Sequence, residues 1–220
     1  MKSFIKQMIR SVLPEPPFII RAYGSLIKNN DSYLHTTGWM LSLKENKPVN
    51  QAGDPIPWMN YPVISLLEER LTNDLNLFEY GSGYSTLFYA KRVRKVTSVE
   101  YDQKWFQVVN SQVPNNVTII YRKKDVDGDY CRAIASTGEQ YDVVIVDGRD
   151  RMNCVKQSLL RISPYGVILL DDSQLEKYQS AIVMAREMGF KTLHLEGLKA
   201  TGHKMERTTI YYRQQNCLGI

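Results

Sequence analysis

The stretch Phe78-Glu79-Tyr80-Gly81-Ser82-Gly83-Tyr84-Ser85-Thr86 constrains the fold most. It follows an apolar run and precedes a helical pattern. A second strand-like segment, Val96-Thr97-Ser98-Val99-Glu100, ends in another acid. Strand, glycine turn, helix, strand and acid together describe a pocket for a nucleotide-type ligand. Gly81 and Gly83 accept backbone angles that a Cβ would forbid and let a ligand approach the main chain. Glu100 is placed to accept hydrogen bonds from ribose hydroxyls.

Strand and helix patterns alternate beyond this point. Expected strands are Leu75–Tyr80, Lys95–Glu100, Val117–Tyr121, Asp142–Asp147 and Val167–Asp171. Expected helices are Tyr61–Leu71, Thr86–Val93, Gln103–Gln112, Tyr130–Ala135, Met152–Ile162 and Leu175–Met188. Such alternation specifies an α/β fold of the Rossmann-like, doubly wound type, with a mostly parallel sheet and helices on both faces. The nearly unbroken apolar runs Val143–Val146 and Val167–Leu170 fit strands covered on both sides. Lys191–Leu195 and Arg207–Tyr212 read as two last strands joined by a polar loop, 197–206. Residues 61–220 form the main domain on this reading. Residues 1–60 are a helical and irregular extension, a candidate cover for cofactor or substrate. Residues 28–60 within it read as irregular, with Trp39 and Trp58 as packing anchors.

In open α/β sheets ligands bind beyond the carboxyl ends of the strands. Glu79, Glu100, Asp147 and Asp171 all fall at such ends. A single acid there is ordinarily a turn or cap residue. Four on successive strands make an acidic rim, suited to a ligand with a positive charge and several hydroxyl donors.

These segments resemble the class I S-adenosylmethionine-dependent methyltransferases. The matching residues are Glu79-Tyr80-Gly81-Ser82-Gly83, Val99-Glu100-Tyr101-Asp102, Tyr141–Gly148 and Gly166–Asp172, within residues 60–213. Ser85 stands where the family's motif has a third glycine. The resemblance implies a seven-stranded sheet whose last strand is antiparallel, and S-adenosyl-L-methionine as cofactor. It implies cofactor contacts from Glu79, Tyr80, Gly81, Ser82, Gly83, Ser85, Thr86, Glu100, Tyr101, Asp129 and Asp147. Gly81–Gly83 would lie along the amino-acid end, Glu100 at the ribose and Tyr101 near adenine. Asp129 would reach the adenine amine, with Asp125 and Asp127 as competitors and a plain loop as the alternative for all three.

Catalysis of methyl transfer rests on alignment and, for a hydroxyl acceptor, on a proton acceptor. The candidates are Asp147, Asp171 and His203, with His35 behind them. Neighbouring ends of strands four and five would set Asp147 and Asp171 about 5 Å apart. Asp147, Asp171 and Asp172 are therefore an alternative divalent-metal site of all-oxygen type, although no metal is the first expectation. Without a metal, one of Asp171 and Asp172 caps the next helix. Arg149 and Arg151 either bind an anionic substrate or pair with Asp150 and solvent.

Composition narrows the function classes. The charge of +5 is mildly basic. The clusters 91–95 and 122–124 read as solvated helix ends and loops, and no nucleic-acid module is evident. A small-molecule acceptor is expected rather than nucleic acid. No apolar run reaches the roughly 18 residues that span a bilayer. Cys131, Cys154 and Cys217 show no metal spacing or disulfide framework, which suits a cytoplasmic protein. Ile5, Met8, Ile9, Val12 and Leu13 recur at helical spacing apart from Lys2, Lys6 and Arg10. That segment is either a helix packed on the domain or a peripheral membrane contact through residues 1–13.

The expected activity is thus O-methylation of a small molecule. The alternatives are an NAD-dependent oxidoreductase on a Rossmann sheet and a non-catalytic binding protein that keeps the fold. Thr86, standing where a dinucleotide fingerprint has its third glycine, opposes the first alternative. Glu79 does so too, since a carboxylate there suits a cation better than a pyrophosphate.

Overall fold

The computed structural model describes residues 16–220. Residues 1–13, read above as an amphipathic segment, lie outside that range. The chain begins with α1 (Pro16–Lys28), α2 (Tyr33–Thr36), α3 (Trp39–Glu45) and α4 (Tyr61–Arg70). There follow β1 (Asn76–Tyr80), α5 (Tyr84–Ala90), β2 (Lys95–Glu100), α6 (Gln103–Asn110) and β3 (Val117–Tyr121). The second half comprises α7 (Ala133–Ser136), β4 (Tyr141–Val146), α8 (Arg151–Leu159) and β5 (Ile162–Leu170). A 3₁₀ turn (Glu176–Tyr178), α9 (Gln179–Glu187), β6 (Lys191–Leu198) and β7 (Met205–Tyr212) complete it.

The strands form one seven-stranded sheet of order β3-β2-β1-β4-β5-β7-β6. The β3-to-β5 ladders are parallel, and β7 runs antiparallel to both β5 and β6. Alternate residues of each central strand enter opposite cores. Val143 and Ile145 pack with Leu77, Val63, Leu67 and Phe88 on one face. Val144 and Val146 pack with Phe78, Tyr80, Cys154 and Ala181 on the other. Both faces are apolar, so the strand sequences show no polar alternation. Each such Val, Leu, Ile or Phe side chain, fully buried, stabilises the fold by about 1.5–3 kcal/mol.

Local chemistry sets the helix starts. Asn60 accepts a hydrogen bond from Val63 N–H and caps α4, and Pro62 is tolerated in that first turn. Asp102 caps α6 by accepting from the N–H groups of Lys104 and Trp105. Gly83 N–H donates to Thr86 Oγ1 at 2.9 Å and so ties the glycine turn to the first turn of α5.

Several boundaries differ from those expected. Residues 28–60 hold α2 and α3 rather than irregular chain alone. Helix α8 stops at Leu159, and Ile162 opens β5 by pairing with Tyr141. The segment Ser163-Pro164-Tyr165-Gly166 reads locally as a turn, but the sheet accommodates it as an irregularity between the Tyr141 and Val143 pairings. Tyr130 and Cys131 precede α7 in a loop, where Asp125 accepts from Tyr130 N–H. The final hairpin is longer than expected, because β6 and β7 pair from Lys191–Tyr212 to Leu198–Met205. The extension packs on the sheet. Ile56 and Met59 join the same core as Val63, and Trp39 Nε1 donates to Gly202 O at 2.7 Å.

Candidate functional site

Two adjoining cavities lie beyond the carboxyl ends of β1, β2 and β4. One, of about 480 Å³, is lined by Glu79–Ser85, Trp105 and Asp147 and covered by Asn46, Lys47, Pro48 and Trp58 of the extension. The other, of about 530 Å³, is lined by Glu100, Tyr101, Asp102, Gly148, Arg149 and Arg151. They share Gly81, Ser82, Trp105 and Asp147. A larger cavity of about 750 Å³ lies elsewhere, between Tyr33, Asn50 and Glu68. It contains none of the strand-end acids.

The glycine turn is held from below. Glu79 is 2% exposed. Its carboxylate accepts from Thr86 Oγ1 at 2.6 Å, Ser98 Oγ at 2.7 Å and Ser85 Oγ. Burial pushes its carboxyl up to about 7, although these three hydroxyls favour the charged form. Thr86, the departure from a dinucleotide fingerprint, thus joins the turn to the buried acid. Gly81 has φ +96°, a left-handed conformation suited to glycine. Opposite it, a Cβ on Gly148 would fall 2.0 Å from Tyr130 Oη and 3.0 Å from the Tyr80 carbonyl. Gly81 is therefore required by its backbone angle, and Gly148 by the close approach of Tyr130 and the end of β1. The Tyr80 side chain points away from it, fully buried, and its hydroxyl donates to Cys131 O at 2.7 Å.

Glu100 closes β2 with both oxygens engaged. One accepts from the N–H groups of Tyr101 and Asp102, each at 2.8 Å. The other accepts from Ser82 N at 3.1 Å and Ser82 Oγ at 3.0 Å. Tyr101 Oη lies 3.0 Å from an Arg149 nitrogen, which donates to it. Asp129 is exposed and lines neither cavity. Its N–H donates to Asp125, and Asp127 pairs with Arg132. The carboxylates of Asp125 and Asp127 thus serve the loop, and Asp129 contributes its N–H to it.

Asp147, Asp171 and Asp172 do converge, with one oxygen of each within 4.8 Å of the others. Two cations already stand among them. Lys199 Nζ lies 2.9 Å from Asp171, 3.1 Å from Asp172 and 3.2 Å from Glu206. Arg151 lies 2.8 Å from Asp147 and 3.0 Å from Asp172, and also donates to the Asp171 carbonyl. Asp171 is 1% exposed. Thr208 Oγ1 donates to its other oxygen at 2.6 Å. Neither Asp171 nor Asp172 caps a helix by its side chain, contrary to expectation, because both are drawn onto these cations. Burial and the neighbouring Asp171 carboxylate push Asp147 well above the usual carboxylate range.

His203 is exposed on the β6–β7 loop and lines neither cavity. His35 bonds through Nε2 to the Ile27 carbonyl at 2.7 Å, a local structural contact. Arg151 pairs with Asp147 and Asp172 rather than with Asp150, one of the two partners considered above, while Arg149 turns to Tyr101. The basic cluster 91–95 is largely neutralised: Lys91, Arg92 and Lys95 pair with Asp54, Glu68 and Glu139.

Sequence reasoning missed Trp105, Lys199 and Glu206. Trp105 Nε1 donates to Ser82 O at 2.8 Å, and its ring lies 3.5 Å from where a Cβ on Gly83 would be. Its spacing from Glu100 was a usable signal, since one turn of α6 after the strand end brings a side chain back over the glycine loop. Lys199 had no local signal.

No protein-family model matches the chain, and no curated protein does. Solved structures do match its architecture. The precorrin-6y C5,15-methyltransferase of Geobacter metallireducens is 16% identical with TM-score 0.51, covering 69% of this chain and 87% of that one. An rRNA methylase of Streptococcus thermophilus is 14% identical with TM-score 0.51, covering 72% and 100%. The chain has the class I methyltransferase fold. A candidate methyltransferase of Streptococcus mutans, in complex with SAH, is 13% identical with TM-score 0.51, covering 67% and 94%. In this methyltransferase fold the two cavities occupy the crevice beyond the strand ends, where open α/β sheets take their ligands.

Proposed function

We propose that the protein is an S-adenosylmethionine-dependent methyltransferase that methylates a hydroxyl of a small molecule. The observation that carries this reading is the paired crevice around Gly81, Ser82, Trp105 and Asp147, rimmed by Glu100. A bare glycine turn and a ribose-type acid at the next strand end fit a nucleoside-bearing cation. A neighbour of the same fold was solved with SAH. When bound, S-adenosylmethionine would supply a methyl made electrophilic by its sulfonium.

The chain's own residues divide the work. Gly81, Ser82 and Gly83 present main chain along the first cavity, with Glu79 holding the turn from below through Ser85 and Thr86. Glu100 would take the ribose hydroxyls in exchange for the Ser82 hydroxyl. Tyr101 and Arg149 would flank the base. Asn46, Lys47, Pro48 and Trp58 roof the first cavity and exclude water on the acceptor side. That roof favours a small acceptor over a duplex.

Asp147 is the proton acceptor. It lines both cavities, and Arg151 engages one of its two oxygens, which leaves the other to accept a hydroxyl proton from an acceptor. Asp171 is too buried and too fully bonded to meet an acceptor, and His203 stands apart. Their part is structural in this reading. Asp129 makes no cofactor contact. The carboxylate cluster does not fit a divalent ion, because Lys199 and Arg151 already take its converging oxygens.

Calorimetric titration with SAH, with NAD in parallel, tests the reading. Micromolar binding of SAH alone supports it. Binding of NAD alone transfers the site to hydride chemistry, and binding of neither by folded protein leaves no cofactor pocket.

A further inference from the structure

Helix α1 turns an apolar face to solvent. Its sequence, PPFIIRAYGSLIK, contains no acid. At 3.6 residues per turn, Phe18, Ala22, Leu26, Ile19, Tyr23, Ile27 and Ile20 cover about 200° of its circumference. Arg21, Lys28, Ser25 and Gly24 fill the rest. The apolar side is uncovered: Phe18 is 76% exposed, Ile20 67% and Tyr23 66%. None of residues 18–28, the described side chains of α1, joins either core. The helix is tied down at its C-terminal end, where Ser32 Oγ and His35 Nε2 bond the carbonyls of Leu26 and Ile27. An apolar face of this extent marks an interaction surface.

Charge identifies the partner. Residues 1–28 contain five basic residues, Lys2, Lys6, Arg10, Arg21 and Lys28, against the single acid Glu15. This is four of the chain's five net positive charges, in about an eighth of its length. The remaining chain is close to neutral. A protein partner could match an apolar face alone. A helix with one apolar side, only cations for charges on the opposite side, and further cations in the sequence before it is complementary to a surface that is apolar inside and anionic outside. No helix among the described residues is long and apolar enough to cross a membrane, so the helix would lie on a bilayer rather than span it.

We propose that α1 is an interfacial helix that docks the protein on an anionic lipid bilayer. Phe18, Ile19, Ile20, Tyr23 and Leu26 enter the headgroup–acyl boundary, and the long stems of Arg21 and Lys28 bring their charges to the lipid phosphates. The docking is independent of the methyl-transfer reading.

The experiment is co-sedimentation of the full chain with vesicles of phosphatidylcholine containing phosphatidylglycerol, and with phosphatidylcholine alone. The protein is expected to sediment with the anionic vesicles, and to be released by salt. Arg21→Gln with Lys28→Gln should weaken binding about 25-fold, at about fivefold for each cation removed. Ile20→Asp with Tyr23→Asp should abolish it while circular dichroism and melting stay unchanged, because both side chains are solvent-facing. Equal affinity for neutral and anionic vesicles, or binding untouched by the Ile20 and Tyr23 changes, overturns the proposal. So does a dimer in light scattering that those two changes dissociate, which would assign the face to a second copy.

Discussion

Lys199, just beyond β6, sets its ammonium 2.9 Å from the carboxylate of Asp171 at the end of β5. The two residues meet because β7 is inserted antiparallel between their strands. The pair anchors the hairpin to the carboxyl edge of the parallel strands, with Asp172, Glu206 and Arg151 extending the network.

Replacing Lys199 by Met should destabilise the fold by about 3–5 kcal/mol, since a buried Asp171 would lose its counter-charge. Adding Asp171→Asn should recover a large part of that loss. Urea denaturation of the two variants and the wild type checks this. Equal stability of Lys199→Met and wild type would show the pair to be energetically neutral.

Glu79 predicts a pH dependence of stability. Its carboxyl is held near 7 in the folded protein, against an ordinary value of 4.5. Between those values the native state binds the extra proton, so the contribution of Glu79 to stability is fullest below about pH 4.5 and is lost as pH rises to about 7. A shift of this size corresponds to about 3 kcal/mol. Denaturation midpoints from pH 4.5 to 8 should show this slope in wild type and less of it in Glu79→Gln. Parallel profiles for the two would contradict the assignment.

Glu100→Gln should weaken SAH binding about tenfold, the equivalent of roughly 1.4 kcal/mol. An amide offers one acceptor oxygen where the carboxylate offers two, and its NH₂ faces the Ser82 or Tyr101 donors. Calorimetry on variants with wild-type melting curves measures the effect. Unchanged affinity would detach Glu100 from the cofactor site.

Trp105 should report ligand entry. Its indole bonds Ser82 O and covers Gly83, so SAH binding along that turn should change tryptophan emission. Trp105→Phe should remove most of the change and weaken binding through loss of the Ser82 contact. A full signal in that variant would place the response at Trp58 or Trp39.

Asp147→Asn should lower turnover by 10²–10⁴-fold with a hydroxyl acceptor, the usual span for a proton acceptor, while SAH still binds. Once an acceptor is found, initial rates with saturating cofactor decide it. A variant that turns over normally would assign Asp147 to the Arg151 ion pair alone.

The sequence by itself determined the succession of strands and helices, the glycine turn and the acids at the strand ends. These depend on local periodicity, on residues that tolerate unusual backbone angles and on cap chemistry, all of which operate within a few positions. It misplaced the start of β5, because Ser163-Pro164-Tyr165-Gly166 has turn chemistry that only pairing with β4 overrides. It could not show that Asp171 is buried against Lys199 and Thr208, partners 28 and 37 residues away. It could not show that Asp129 and His203 stand clear of the crevice, or that Trp105 folds over Gly83. Those outcomes depend on which strands are neighbours and how far each loop reaches. Charge pairing and burial at the site are therefore tertiary properties, and they decide which of the strand-end acids faces a ligand and which holds the edge of the sheet together.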